Sequence, residues 1–426
     1  MGLAELNFPT LVRQAAEAIP ETATSPGTWS ARRVFLGIMG LVQSSRKETL
    51  VRMLQRQHDL GLFPDFDKPP SASGFSQARH LFSVATGKAV WLATKARTEA
   101  LVASSSNEQR WIAMDGSWLI APRSKTCTKR WTVPAGSSLP QAVVVTAWDV
   151  RNRLPVGFCV LPGKTGERAA TDELLPHLRK GDVALVDRGF PSDQLFGHMM
   201  AKGVEILARM TVGTGAWAET TDFMASKELD AVLPVEVVDP DGTVRRTPMR
   251  FIRRVFEVGR PKKGQTRETM VLVTTLLDPL KHSAESLIAR YQERWAVETA
   301  YREMKVTFAI EHFHSPDANR IVQELYALMT WLCLAAGMEA QVQTLLETKR
   351  GPIDPTDPRR WQINRTNLFH FTDQAFWAAC SAETWARHQA IYASHCETLV
   401  RYAQRKRPGR SSPRSRLAPF GRFARG

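Results

Sequence analysis

Residues 183–190 of this chain read VALVDRGF, in which four apolar residues are followed by Asp187 and a turn that contains Gly189. A short, wholly apolar run of this kind is typical of a strand that is buried on both faces of a sheet. A helical pattern follows at 192–202, and a second apolar run follows at 204–210. Because strands joined by a helix usually pair in parallel, the stretch predicts an α/β sheet covered by helices, with Asp187 at the carboxyl end of a strand.

The pattern upstream of this unit is typical of antiparallel strands. Runs at 111–120, 141–148 and 154–161 are rich in β-branched and aromatic residues, and turn-prone residues 149–153 separate the last two. Such short runs predict a meander. A helical pattern at 167–178 then leads into the apolar strand. We therefore expect a mixed sheet with flanking helices.

The remaining segments divide the chain into three predicted parts. Residues 1–105 show helical apolar spacing and predict an N-terminal domain that either binds DNA or has a purely structural role. Residues 106–345 hold the sheet, with a β-rich insertion at about 211–272 in which the Asp-Pro-Asp-Gly turn at 239–242 predicts a hairpin. Residues 346–426 predict one or two helices, beginning near residue 373, and then a basic, disordered tail.

The charge of the chain favours a polyanionic partner. The chain has 426 residues and a formal net charge of +15. Nine basic residues and no acidic residue lie between Arg401 and the end of the sequence. A tail of this composition binds phosphates without reading base sequence. Charge alone leaves DNA, RNA and an anionic membrane face as partners.

The sequence disfavours both a membrane location and disulfide bonds. Residues 1–20 include Glu5 and Glu17 and lack the apolar core of a signal peptide. The longest apolar run, at 325–338, is too short to span a bilayer and predicts a buried helix. The five cysteines lie far apart and form no CxxC pair, which fits reduced thiols. We therefore expect a cytoplasmic protein that does not contact membranes.

A second informative stretch lies at residues 291–305, which read YQERWAVETAYREMK. On a single helix that advances about 100° per residue, four polar side chains fall within an arc of roughly 60°: Tyr291, Arg294, Glu298 and Lys305. An ordinary amphipathic helix with exposed ion pairs explains most such patterns. Here Glu298 borders the apolar stripe beside Trp295. It therefore needs a cation as its partner, either Arg294 or one held in a cleft.

Two aspartates complete a set of three carboxylates. Asp115 follows an apolar run, and Asp187 ends an apolar strand. Each alone is just as typical of a turn or a helix cap. Together with Glu298 they form the minimum set for two Mg²⁺ ions about 4 Å apart, which activate a nucleophilic oxygen and stabilise the leaving oxygen in phosphodiester chemistry. Arg294 and Lys305 would neutralise the phosphates.

These residues resemble a known family. The spacing Tyr-x₂-Arg-x₃-Glu-x₆-Lys matches the signature of bacterial DDE transposases of the insertion-sequence-four family. Residues 114–117 and 186–191 are similar to that family's first- and second-aspartate regions, in the expected order. The resemblance covers roughly residues 111–345. It implies an RNase H-like fold with a β-rich insertion.

The same resemblance implies roles for individual residues. The implied catalytic residues, which would bind two Mg²⁺ or Mn²⁺ ions, are Asp115, Asp187 and Glu298. The implied contacts to transposon-end DNA are Tyr291, Arg294 and Lys305, to which we add Arg188. Relatives that form DNA hairpins hold a flipped base with an aromatic residue of the insertion, for which Trp217 and Phe223 are candidates without a matching motif.

Together these features predict a cut-and-paste DNA transposase. It would cleave 3′ ends at terminal inverted repeats and join them to target DNA, as a homodimer assembled on DNA in the bacterial cytoplasm, at the nucleoid. Two alternatives remain, a nuclease of the same fold that never joins DNA and a transposase-derived DNA-binding regulator that has lost catalysis. A glycosidase with paired carboxylates is disfavoured because the flanking cations suit phosphates better.

Overall fold

The structure is a computed structural model that describes most of the chain. The described residues are 19, 29–43, 49–103, 109–163, 165–262, 265–354, 357, 359–381 and 384–406. The predicted basic tail lies outside them from residue 407 onward.

Helices and strands follow one another along the described residues. The α-helices are α1 (Ala31–Gln43), α2 (Leu50–Asp59), α3 (Ala72–Ala78), α4 (Val84–Ala103), α5 (Lys125–Arg130), α6 (Thr171–Leu174), α7 (Asp193–Ala201), α8 (Ala218–Ala225), α9 (Ala284–Gln292), α10 (Trp295–Val306), α11 (Ala318–Arg350), α12 (Arg365–Cys380) and α13 (Trp385–Arg401). The strands are β1 (Trp111–Ile120), β2 (Gln141–Asp149), β3 (Leu154–Pro162), β4 (Val183–Val186), β5 (Glu205–Met210), β6 (Asp230–Val238), β7 (Val244–Lys262), β8 (Gln265–Thr274), β9 (Trp361–Gln362) and β10 (Gln404–Arg405).

Eight of these strands form one sheet in the order β3-β2-β1-β4-β5-β8-β7-β6. Strand β1 pairs antiparallel with β2 and parallel with β4, and β4 pairs parallel with β5. All four residues of β4 are buried, as the apolar run predicts. In the RNase H-like arrangement, the first strand of an antiparallel meander also pairs in parallel with a fourth strand, and a fifth parallel strand follows. The predicted mixed sheet and RNase H-like fold are therefore confirmed.

Strands β6, β7 and β8 continue the sheet beyond β5. Strand β8 pairs antiparallel with β5, and β7 lies between β8 and β6. The turn between β6 and β7 lies at residues 239–242, where the sequence predicts a hairpin. Gly242 has a φ of 86° and donates its N–H to the Asp239 carbonyl, a conformation that a residue with a side chain rarely adopts. The β-rich stretch therefore extends the existing sheet.

Helix α11 lies in the core of the fold. It packs against α1, α4, α12 and α13. Every residue from 325 to 338 is buried except Tyr326, so the predicted buried helix is confirmed. By length and composition α11 could cross a membrane, but 94% of its apolar window is buried inside the structure. That burial is typical of a core helix.

A buried arginine fastens the N-terminal helices to α11. The Arg79 side chain is 2% exposed, and its Nη1 lies 2.9 Å from Glu324 Oε1. Its Nε donates to Gln323 Oε1 at 3.2 Å, and its Nη2 donates to the Arg320 carbonyl at 2.7 Å. All three acceptors belong to the first turns of α11. The guanidinium therefore joins two distant parts of the chain while its charge stays paired.

A second arginine fastens the C-terminal helices. Arg365 Nε and Nη2 donate to the two carboxylate oxygens of Glu303 on α10, at 2.6 and 2.7 Å, and its Nη1 donates to Glu339 on α11. The sequence predicted that these helices begin near residue 373. Helix α12 begins at Arg365 instead, because the Asn364 side chain caps it by accepting from the Asn367 N–H.

Replacing Arg79 with Met tests the first attachment. The Glu324 side chain, 8% exposed, would lose its arginine partner. Removing one member of a buried ion pair costs about 3–5 kcal/mol, so the free energy of unfolding should fall by about that much. Urea denaturation followed by circular dichroism measures it. Arg254→Met, at an exposed position on β7, is the control and should change it by less than about 0.5 kcal/mol. Equal losses in the two variants would contradict the role of the pair.

Candidate active site

Three carboxylates come from three separate elements. Asp115 lies within β1, Asp187 directly follows β4, and Glu298 lies in the first turn of α10. Strands β1 and β4 are parallel neighbours, with Met114 opposite Val186. The two aspartates therefore follow paired residues and share one edge of the sheet, where ligands of α/β folds gather.

The guanidinium of Arg294 lies between the three carboxylates. Its Nη2 is 2.8 Å from Glu298 Oε1 and 3.5 Å from Asp187 Oδ2, and its Nη1 is 3.5 Å from Asp115 Oδ2. The Arg294 side chain is 6% exposed. Burial opposes the charge of this guanidinium, but the surrounding phenol and carboxylates raise its pKa. A single cation thus holds three like charges together.

Tyr291 belongs to the same cluster. Its hydroxyl donates to Asp187 Oδ1 at 3.3 Å, and its ring centroid lies 5.9 Å from Arg294 Cζ. Burial raises the pKa of Tyr291, and the negative charge of Asp187 raises it further. The phenol therefore stays protonated and serves Asp187 as a hydrogen-bond donor.

The segment 291–305 is not the single helix that the sequence predicted. Helix α9 ends at Gln292 and α10 begins at Trp295. In the turn between them the Arg294 N–H donates to the Tyr291 carbonyl, and the Val297 N–H donates to the Arg294 carbonyl, a tighter spacing than that of an α-helix. The turn directs Arg294 to the carboxylates. It leaves Trp295, predicted beside the inward-facing stripe, 62% exposed.

The two other predicted DNA contacts lie at the margins of this cluster. Lys305 Nζ donates to the Trp118 carbonyl at 2.6 Å, near the end of β1, and lies 4.0 Å from Glu311 Oε1. Arg188 has an exposed side chain, and its backbone N–H donates to Asp187 Oδ1 at 2.8 Å. Each is therefore attached to an element that carries one of the aspartates.

Tyr301 was missed by sequence reasoning. Its hydroxyl lies 2.7 Å from the Asp115 carbonyl, 2.9 Å from the Val144 carbonyl and 3.0 Å from Thr146 Oγ1. One buried phenol on α10 thus connects that helix to β1 and β2. The only signal in the sequence is its position one helical turn after Glu298, which does not distinguish it from any other buried tyrosine.

Glu167 was also missed. It begins the short 3₁₀ helix Glu167–Ala170 after β3 and is half-buried. A methyl group added at Gly116 would overlap its Oε1, and one added at Gly189 would lie 2.9 Å from its Oε2. Because residues 116 and 189 are both glycines, the Glu167 carboxylate has room to lie next to both aspartates. The sequence showed only a helical pattern here, without a motif.

Comparison with known proteins identifies the family. The sequence model of the family described as "Transposase DDE domain" matches residues 107–334, over half of the chain, and this range includes all three carboxylates. This chain belongs to that family of DDE transposases. A structural comparison aligns the transposase with a piggyBac transposase solved by cryo-EM as a synaptic complex with hairpin DNA, at 10% identity and a TM-score of 0.47, over 92% of this chain and 82% of the other. No curated protein matches the transposase.

Membership makes the chain an enzyme that cleaves DNA and transfers strands, in a family that acts with divalent metal ions. The carboxylates around Arg294 supply the hard oxygen donors that such ions prefer. Among the described residues, no group of three or more Asp, Glu, His or Cys side chains is arranged so that it could bind a metal ion. The Arg294 guanidinium fills the space between them. The donors fit the ions chemically, provided that the arginine withdraws from this position.

The pKa of Asp115 is raised by its position in this cluster. Burial raises it to about 6 from the usual value of 3.8, and the charges of Glu167 and Glu298 also raise it, whereas Arg294 lowers it. Between these two pH values the folded transposase binds a proton that the unfolded chain releases. The free energy of unfolding therefore falls as the pH rises through this window.

Asp115→Asn tests this effect without metal ions. In EDTA the variant should match the wild type near pH 4 and exceed its free energy of unfolding by about 3 kcal/mol at pH 7.5, because the amide never ionises. Urea titrations across this pH range measure the difference. Asp222→Asn, at an exposed position on α8, is the control and should follow the wild type. A constant difference between Asp115→Asn and the wild type at every pH would contradict the expectation.

Proposed function

We propose that this enzyme is a bacterial transposase of the insertion-sequence-four family that cleaves 3′ ends at terminal inverted repeats and joins them to target DNA. One observation carries the proposal. Arg294, the arginine of the Tyr-x₂-Arg-x₃-Glu-x₆-Lys pattern, lies within 3.5 Å of Asp115, Asp187 and Glu298. The pattern's arginine and glutamate therefore share one site with aspartates from two distant segments.

The carboxylates and the cations have separate roles in this proposal. Asp115, Asp187 and Glu298 are the residues that would hold two Mg²⁺ or Mn²⁺ ions. Bound ions supply activation of a water or a 3′ hydroxyl and stabilisation of the leaving oxygen. Tyr291 orients the Asp187 carboxylate through its hydroxyl.

The DNA would be held by the cations around this site. Arg294, released from the carboxylates, would pair with a phosphate through its planar guanidinium. Lys305 and Arg188 would bind the strand on either side. Tyr291 would also contact the transposon end.

The rest of the chain is assigned to DNA ends and assembly. We assign residues 1–105 to recognition of the terminal repeats, residues 106–345 to catalysis, with the insertion at about 211–272, and residues 346–426 to further DNA affinity or subunit contacts. The net charge of +15 supports a DNA partner. Because transposition holds two ends together, a homodimer assembled on DNA is proposed, in the cytoplasm at the nucleoid and away from membranes.

Asp187→Asn tests catalysis directly. The full chain is incubated with Mg²⁺ or Mn²⁺, a target plasmid and labelled DNA that carries the inverted repeats flanking the gene. We expect 3′-end cleavage followed by joined products. We expect the variant to cleave and join DNA about 1,000-fold more slowly, because it loses several kcal/mol of metal-assisted stabilisation of the transition state. Glu173→Gln, at an exposed position on α6, is the control and should keep the wild-type rate.

Other products would identify the alternatives. Cleavage without any joined product, with both metals, would support a nuclease of the same fold. Binding of the repeats with equal biological effects from wild type and Asp187→Asn would support a regulator without catalysis.

A further inference from the structure

Glu167 lies where the segment after β3 meets the ends of β1 and β4. Its two carboxylate oxygens face Gly116 and Gly189, which lie one and two residues after Asp115 and Asp187, respectively. The adjacent Arg168 Nε donates to the Gly189 carbonyl at 3.1 Å and holds this segment against the turn after Asp187. Glu167 is therefore fixed beside both aspartates by contacts that involve neither Arg294 nor α10.

The charges of these groups act on one another. Burial raises the pKa of Glu167, and the charge of Asp187 raises it further, while the nearby Gly116 N–H and the charge of Arg294 lower it. Glu167 in turn raises the pKa of Asp115. These mutual effects show that the three carboxylates share one electrostatic environment.

The described cations do not balance this environment. Arg294 forms ion pairs with Asp115, Asp187 and Glu298. Glu167 has no ion pair with any Lys, Arg or His among the residues that the structure describes. Four carboxylates thus surround one guanidinium. A further positive charge would stabilise this half-buried carboxylate beside two others, and divalent ions carry the most charge in the smallest volume.

We propose that Glu167 is a fourth carboxylate ligand of the metal site, binding a divalent ion together with Asp115 and Asp187. The proposal rests on the function proposed above. It gives the site a donor from a fourth element of the fold, the segment after β3. The glycines at 116 and 189 then have a chemical reason, since a side chain at either position would displace the ligand.

A bracing role is the main alternative, in which Glu167 only fills the space beside Gly116 and Gly189. Two variants separate the possibilities. Glu167→Gln keeps the size and polarity of the side chain but loses the charge. Glu167→Asp keeps the charge but withdraws the carboxylate by one methylene, so it preserves a long-range electrostatic effect and breaks direct ligation.

Metal binding is measured on the full chain without DNA, by titrating Mn²⁺ in a calorimeter and by the electron paramagnetic resonance of free Mn²⁺. We expect Glu167→Gln and Glu167→Asp each to weaken Mn²⁺ binding by about tenfold or more, the scale on which groups that support a metal contribute. Glu173→Gln, the same change at an exposed position on α6, should stay within about twofold of wild type. Thermal melting in EDTA verifies that each variant is folded, with Glu167→Gln at least as stable as wild type because repulsion is removed.

The outcomes separate this proposal from the one on which it rests. If Glu167→Asp binds Mn²⁺ as wild type does, while Glu167→Gln binds weakly, Glu167 acts only through its charge and direct ligation is wrong. If both bind as wild type while Asp187→Asn binds weakly, Glu167 is not a ligand and the proposed function stands. If Asp187→Asn also binds as wild type, the metal site of the proposed function itself is wrong.

Discussion

The ion pairs between Arg294 and three carboxylates are the interaction on which the site depends. Asp115 and Asp187 are fixed by paired strands, so their repulsion cannot be relieved by moving them apart. Partly buried ions of like charge remain together only beside a counter-ion. The chain meets this requirement at the junction of α9 and α10, where a tight turn directs the guanidinium inward. The break in the helix is thus a consequence of the charges that the sheet collects.

Much of the fold could be predicted because its signals are local. Four apolar residues at 183–186 suffice to indicate a strand buried on both faces, and the turn at 239–242 indicates a hairpin by its own chemistry. The apolar run at 325–338 indicated a buried helix for the same reason. The start of α12 was placed too late, because only a single capping asparagine marks it, although Leu368 and Phe369 follow and are buried.

The site was only partly accessible from the sequence. Asp115, Asp187 and Glu298 stand out because acidic residues beside apolar runs are unusual. Glu167 and Tyr301 carry no such contrast, and their importance arises from approach in space, against two glycines in one case and against two strands in the other. Trp295 shows the opposite error, because the sequence pattern placed it beside an inward-facing stripe although its side chain is exposed. A uniform 100° step cannot represent the overwound turn that precedes it.

The attachment made by Arg365 has a consequence for how such proteins evolve. One guanidinium joins α12 to Glu303, five residues after Glu298, and to Glu339 in the core helix. A C-terminal module exchanged from a distant relative without a matching arginine would leave Glu303 without this partner, Glu339 paired only with Arg153, and an apolar flank of α11 uncovered. Such an exchange is therefore expected to destabilise the fold, and a change on one side of this boundary requires a compensating change on the other.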